Sequence, residues 1–427
     1  MYLKVPQTVI SADSIPRIGC MRKSPAASRK TILALLYGYT LSHVSRPLVV
    51  AEELRKRGYD VVFAGSGAAL RFPAERGFTV YPLEEIPYET LFGRIRKKRL
   101  RFIETDELWR LVTADLRLLT RLSPDLVLSD GRLSARLSTA YLGIPHAAIV
   151  NVSSTHHRRE PYVPLFGTVS DSRLKARLDV WNLHIEMKVF DLAVPAFRRA
   201  SRRLGIPGNV GATNCLEGND LTLLPDLPEY MPSIGLPDTH YYVGPLVPHM
   251  HVPRPPWWQE ILNHHRAGKR ILYCTLGSTG SMKITRPILY LSNNKDWTII
   301  VTTGGRKVSI ANCDNVFVSD FIDADEILPI TTTIVCHGGN GTIYQCLSHN
   351  VPILGIPDIP DQVYNMRRVE ALRVGHRIQY SDISSAKSWQ TLLERWSRPL
   401  SSHLGRATAQ ARKKSPSRAA DLIQGLL

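Results

Sequence analysis

The sequence predicts an α/β protein built from two doubly wound, parallel-sheet domains in tandem. Three observations carry that expectation. Short apolar runs alternate with stretches of helical spacing, first from Thr31 and again from Lys269. A proline-rich stretch of weak periodicity, YYVGPLVPHMHVPRPPWW, lies between the two series. The length of 427 residues suits two or three domains of roughly 100–200 residues each.

TILALLYG, from Thr31, is a buried first strand. RPLVVAEELRKRG (Arg46–Gly58) has helical spacing and ends on a glycine suited to a helix C-terminus, which leaves His43 in the preceding loop. YDVVFAG and PDLVLSD (Pro124–Asp130) are further strands; LSARLSTAYLG is a helix and IPHAAIV a strand. Long helices follow around Lys175–Phe190 and Ala196–Leu204. Beyond the proline-rich stretch, KRILYCTLG, DWTIIVTTG, NVFVSDF, TTIVCHGG and VPILGIP are strands with helices between them. Such alternation implies parallel sheets covered on both faces, whose ligands bind at the carboxyl ends of the strands. The expected division is an extension at 1–30, a first domain at 31–244, a linker at 245–258, a second domain at 259–400 and a tail at 401–427.

Lys and Arg number 54 against 37 Asp and Glu, a formal charge of +17. Hydrophobic residues at 44% and charged residues at 21% are ordinary globular usage, which excludes wholesale disorder. The charge admits nucleic acid, an anionic membrane or anionic small molecules as partners. The basic run RIRKKRLR (Arg94–Arg101) lacks aromatics for base stacking and no nucleic-acid motif accompanies it, so no nucleic-acid partner is expected. Contact of that run with an anionic membrane stays open. Six cysteines, none in a C-x-x-C pair, argue against a disulfide scaffold or zinc ribbon. No apolar run reaches the ~18–20 residues of a spanning helix, and the first thirty residues lack a signal-peptide core. A cytoplasmic protein is expected, peripheral to a membrane if that contact is made.

The strongest local signal is CHGGNGTIYQCL (Cys336–Leu347), where a buried strand ends in a glycine-rich turn that opens a helix. Glycines let a ligand approach the backbone, and a helix N-terminus offers free N–H groups and the positive end of a dipole. TLGSTGS (Thr275–Ser281) follows the first strand of the same domain and can meet a phosphate from the other side. In PDIPDQVYN, Asp361 and Gln362 suit vicinal sugar hydroxyls, although helix capping is the plainer reading of Asp361. In the first domain, His43 follows the first strand and is a candidate general base, with Asp130 at another strand end as its partner.

Other matches carry less. AGSGAAL has G-x-G but lacks the third glycine of a dinucleotide fingerprint. Asp323-Ala324-Asp325 has a spacing common by chance. The pairs His156/His157, His264/His265 and His249/His251 have no further ligands at metal spacing and read as surface, so no metal is expected.

From His43 through LGS and HGGNGT to PDQ, the ordered set resembles the GT-B nucleotide-sugar glycosyltransferases, in the UDP-glycosyltransferase and macrolide-glycosyltransferase branch. The likeness runs from Thr31 to about Gly375, and HGGNGTIYQCLSHNVPILGIPDIPDQVYN is its most specific segment. It implies two Rossmann-like domains facing across a cleft, an acceptor-binding first domain and a donor-binding second one. His337, Gly339, Gly341, Thr342, Gly277 and Ser278 would then bind the donor diphosphate. Asp361 and Gln362 would bind the donor sugar, and His43 would deprotonate the acceptor with Asp130 behind it. Many relatives carry a glutamate for the ribose where this chain has Gln345, which is given the nucleoside contact. The family's last helix often crosses back onto the first domain, a role open to the tail here.

The resemblance therefore implies an inverting glycosyltransferase that moves a sugar from a UDP- or dTDP-sugar to a hydroxyl of a small-molecule or lipid acceptor, with no cofactor because the nucleotide-sugar is a substrate. The alternatives are an epimerase or hydrolase on the same fold, and a non-catalytic basic membrane-surface binder.

Overall fold

The computed structural model describes residues 29–166, 172–208, 210–249, 252–275, 277, 288, 290–291, 294–306, 313–379, 381–400 and 403–427. Ser278, and all of the 1–30 extension before Arg29, lie outside them.

The first sheet contains β1 (Thr31–Leu36), β2 (Asp60–Gly65), β3 (Val80–Pro82), β4 (Leu126–Asp130), β5 (His146–Ile149), β6 (Leu221–Leu224) and β7 (His240–Tyr242), in the order β3-β2-β1-β4-β5-β6-β7. All its neighbours are parallel. The second contains β8 (Arg270–Thr275), β9 (Trp297–Thr302), β10 (Val316–Ser319), β11 (Thr333–Cys336), β12 (Ile353–Gly355) and β13 (Gly375–Arg377). Its order is β10-β9-β8-β11-β12-β13, again parallel throughout. This is the two-domain GT-B architecture. The strands read as unbroken apolar runs because both faces are covered: Ile32 through Leu36 are fully buried. Each large apolar side chain so buried contributes about 1.5–3 kcal/mol.

In both sheets the chain winds outward from the first strand and then crosses back to its other side. The order therefore reverses between β1 and β4, and between β8 and β11. Loops leaving the carboxyl ends of such a pair run in opposite directions and open a crevice. His43 and Asp130 follow one pair; Gly277 and His337 follow the other.

The first helix spans Leu41–Lys56, five residues earlier than the spacing suggested, so His43 sits in its first turn and not in a loop. A helix that began at Arg46 would hold Pro47 at its start, where a missing N–H costs nothing. In the structure Pro47 is interior, and the lost donor is the one that would have reached the His43 carbonyl. Burial of Val44, Ser45 and Arg46 fixes this turn in place of local propensity.

The helix His403–Gln424 leans on both domains. Ala419, Ala420 and Ile423 join the core of the first sheet with Val44, Leu48 and Ala51, and Asp421 Oδ1 accepts from Arg57 Nη1 at 2.6 Å. Nearer its start, Arg412 donates to both oxygens of Asp325 at 2.8 and 2.9 Å and to Ser348 Oγ at 2.8 Å.

The basic run Arg94–Arg101 is partly used inside the fold. Arg94 forks onto Glu107 at 2.6 and 3.0 Å. Arg96 reaches Asp358 of the second domain at 3.2 Å and the Tyr88 hydroxyl at 2.6 Å. Lys97, Lys98 and Arg99 remain exposed. The two discounted motifs have structural uses. A side chain on Gly67, at φ +126°, would collide with the Gly38 backbone at 2.3 Å. Asp323 caps the short helix Ala324–Ile327 through the Asp325 N–H at 2.9 Å.

Candidate active site

His43 Nδ1 lies 2.6 Å from Asp130 Oδ1. Asp130 ends β4 and is completely buried, while His43 keeps about a quarter of its side chain exposed. A proton on Nδ1 donates to the carboxylate, which leaves Nε2 with a lone pair. Arg46, one turn further along the helix, forks onto the same carboxylate through Nε (2.9 Å to Oδ2) and Nη2 (2.6 Å to Oδ1). Its other terminal nitrogen donates to Asn151 Oδ1. Gly131 completes the arrangement. Its φ is +72°, and a Cβ there would lie 2.8–2.9 Å from Cγ, Cδ2 and Nδ1 of the imidazole. Arg46 and Gly131 were not read from the sequence; an arginine one turn from a candidate base was the available signal.

Beside His43 the wall is aromatic. Tyr37 meets the imidazole edge-on at 6.2 Å between centroids, and Phe92 lies 6.2 Å from Tyr37 and stacks on Tyr88 at 4.6 Å. The loop behind is fixed by Arg132, fully buried between Asp115 (2.7 Å) and Glu85 (2.8 Å), with Ser134 and Ser138 also donating to Asp115.

Across the cleft, β11 ends at Cys336 and His337 is buried. Gly338, at φ +78°, makes the turn and packs where a Cβ would strike Met366. Gly339 caps the helix Asn340–Ser348, and added Cβ atoms at Gly339 or Gly341 would meet nothing within 4 Å. Open space beside N-terminal N–H groups is what an anion requires. Thr342 and Gln345 are half-buried on the same helix. Gly277 is exposed in a turn at φ +53°, and its carbonyl accepts from Arg306 at 2.9 Å. Asn340, read as part of the anion turn, instead donates to the buried Asp226 at 2.7 Å. Asp226 also accepts from Tyr344 at 2.9 Å and from the Val152 N–H at 2.8 Å, so one carboxylate joins the two domains.

The two residues of PDQ divide their tasks in the reverse of the plain reading. Gln362 is the one that caps: its Oε1 accepts from the Asp358 and Ile359 N–H groups at 2.8 and 3.3 Å. Asp361 does not cap. Its Oδ1 accepts from Ser153 Oγ at 2.6 Å across the cleft, and its Oδ2 lies 3.4 Å from Asn365 Nδ2. Burial pushes the Asp361 carboxyl above its ordinary value, against the Ser153 hydrogen bond and the positive field of Arg46 and His43. His43, Asp130, Arg46 and Asn151 thus make one polar chain. It continues along the backbone to Ser153 and so to Asp361.

Comparisons with known proteins agree on the class. Residues 289–404 match the family model of the erythromycin biosynthesis protein CIII-like C-terminal domain. A PGL/p-HBAD biosynthesis glycosyltransferase of Mycobacterium tuberculosis (strain H37Ra) is 31% identical, with 86% of each chain covered. A PGL/p-HBAD biosynthesis rhamnosyltransferase of Mycobacterium bovis (BCG Pasteur) is also 31% identical, over 85% of this chain and 80% of its own. Among solved structures, the glycosyltransferase of kitacinnamycin superposes with a TM-score of 0.65 at 18% identity, covering 93% of this chain and 99% of that one.

Proposed function

The chain belongs to the GT-B, macrolide-type family of glycosyltransferases, and from that premise we propose that it transfers a sugar, with inversion, from a UDP- or dTDP-sugar to an acceptor hydroxyl activated by His43. The observation that carries this reading is the 2.6 Å His43–Asp130 contact at the first crevice, connected through Arg46 and Asn151 to Asp361 at the second.

In this reading the acceptor oxygen gives its proton to His43 Nε2 as it attacks the anomeric carbon, the nucleotide diphosphate leaves from the opposite face, and Asp130 holds the resulting imidazolium. Base assistance of this kind contributes roughly 10²–10⁴-fold. The leaving group gathers negative charge. The Gly339–Thr342 turn and His337 meet it with N–H groups, a helix dipole and an imidazole. Gly277, and Ser278 outside the described residues, would line the other side. Asp361 is the contact for donor-sugar hydroxyls, whereas Gln362, engaged with backbone N–H groups, supports the loop from behind. Gln345 would offer an amide to the nucleoside ribose.

The Tyr37–Phe92–Tyr88 wall supports an acceptor with an aromatic or lipid body. Leu174, Trp181, Ile185, Val189 and Leu192 add to this: they are 37–65% exposed at spacings of seven, four, four and three along the helix Ser172–Ala193. They share that helix with Arg173, Lys175, Arg177 and Lys188, a pattern suited to an anionic membrane surface that presents a lipid acceptor. No described helix is long and apolar enough to cross a membrane.

A donor screen by thermal shift is the direct test, using UDP-, dTDP- and GDP-sugars and including a deoxyhexose such as rhamnose because one relative is named a rhamnosyltransferase. Stabilisation by a UDP or dTDP donor, followed by NMR of the product's anomeric configuration, supports the reading. No stabilisation by any donor, or a product that retains configuration, refutes it. Release of an altered free sugar without acceptor would point to an epimerase or hydrolase.

A further inference from the structure

His156 and His157, which the sequence presents as a surface pair, are joined in the fold by two residues far away in the chain. Glu217, from the loop before β6, is 3% exposed, and its Oε1 lies 3.0 Å from His156 Nδ1. His240, the first residue of β7, points Nε2 at Glu217 Oε2 from 3.7 Å. One ligand atom from each of His156, His157 and Glu217 fits within a common span of 4.8 Å. The ring centroids of His157 and His156 are 3.9 Å apart, and those of His157 and His240 are 5.1 Å apart.

We propose that His156, His157 and Glu217, with His240 beside them, form a binding site for a divalent transition-metal ion of the zinc class.

Two features support this. First, the close approaches are ion pairs whose atoms are not aligned as hydrogen bonds. His156 Nδ1, Glu217 Oε1 and His240 Nε2 are all buried and lack an aligned hydrogen-bond partner. Buried polar atoms that face one another at 3–4 Å without bonding need a third party. Two ligands of one tetrahedral zinc, each ~2.0–2.2 Å from it, stand about 3.3–3.6 Å apart. Second, the outer nitrogens are engaged as those of metal-binding histidines are. His157 Nδ1 faces the Ile234 carbonyl at 3.3 Å and His240 Nδ1 faces the Thr239 hydroxyl at 3.0 Å, which leaves each Nε2 lone pair directed inward. Imidazoles together with one carboxylate select zinc, cobalt or nickel over magnesium or calcium.

Arg136 is the charged neighbour. Its Nη1 donates to the Asn214 carbonyl at 2.6 Å and lies 3.3 Å from Glu217 Oε2, so it holds the oxygen that faces His240 and leaves Oε1 toward His156 and His157. An ion here would pin the loop that begins with Val152 and Ser153, the residues bonded to Asp226 and Asp361, to β6 and the edge strand β7. The site would be structural, since none of its side chains takes part in the proposed transfer.

The test uses the full chain, stripped with chelator and then given Zn²⁺, Co²⁺ or Mg²⁺ alone. The expected results are one zinc retained per chain after dialysis, a rise in Tm with zinc and cobalt but not magnesium, and the strong visible bands of tetrahedral cobalt. Glu217→Gln and His156→Ala should each weaken zinc binding at least tenfold, the second serving if the first fails to fold. His249→Ala should leave binding unchanged, since it touches a different cluster, His249 with Asp323 and Asp325. Absence of stoichiometric zinc from the wild type, or unaltered zinc affinity in both site variants, would overturn the proposal.

Discussion

His43 and Arg46 draw on the same carboxylate oxygen: Asp130 Oδ1 lies 2.6 Å from His43 Nδ1 and 2.6 Å from Arg46 Nη2. Asp130 is therefore shared between a group that must gain and lose a proton and a group that never does. Arg46 fixes the carboxylate by two contacts, so the orientation of the imidazole does not depend on its own charge.

Removing either half of the pair should separate orientation from basicity. His43→Ala is expected to lower kcat by roughly 10²–10⁴-fold with the donor's thermal shift intact. Asp130→Asn should also lower kcat, because an amide can present its N–H to the imidazole and favour the wrong tautomer. A full transfer rate in His43→Ala would remove it as the base.

Gly131→Ala tests the space reserved for the imidazole. Its methyl would have to occupy positions 2.8–2.9 Å from three ring atoms, at a φ of +72° that alone costs about 1–2 kcal/mol. We expect a lower Tm and a fall in kcat of up to about 10²-fold from displacement of the ring. Wild-type turnover would show that the ring moves without consequence.

Arg132→Met leaves Asp115 and Glu85 buried without their shared cation. Uncompensated buried charge of this kind costs roughly 3–5 kcal/mol, readable by urea denaturation. Burial already pushes the Glu85 carboxyl upward against the pull of Arg132, so the variant should regain stability as pH falls and Glu85 protonates. A pH-independent loss would refute that account.

The Asp325 cluster predicts a different acid response. Burial raises its carboxyl, but His349, Arg412 and His249 outweigh this and hold it well below the ordinary aspartate value of 3.8. Because the folded value is depressed, its contribution is complete above about pH 4 and is lost progressively as pH falls below that. Asp325→Asn should lower Tm at neutral pH by the equivalent of roughly 1–3 kcal/mol and flatten the acid limb of the stability curve.

The sequence made the fold and its two crevices legible because strands buried on both faces are unbroken apolar runs, and because polar residues at their carboxyl ends stand out against them. TILALL and TIVC each announce both a strand and the loop that matters after it. Partnerships across long separations were not legible. Nothing local links Arg46 to Asp130, 84 residues away, or Ser153 to Asp361, 208 residues away. Nor did the sequence show that the Gln362 side chain accepts from the N–H groups of Asp358 and Ile359 just before it. The reading of His156 and His157 as surface failed because their neighbour Glu217 arrives through the β5–β6 crossover.

The helix His403–Gln424 has a practical corollary for engineering. Its C-terminal half belongs to the core of the first domain although its sequence lies after the second. A hybrid enzyme spliced only at the proline-rich linker would exchange that half too, placing a foreign surface against Arg57 and Leu48. Modular recombination with a relative therefore calls for two junctions, the second within this helix after Arg412, so that each module keeps the turn of helix it was fitted to.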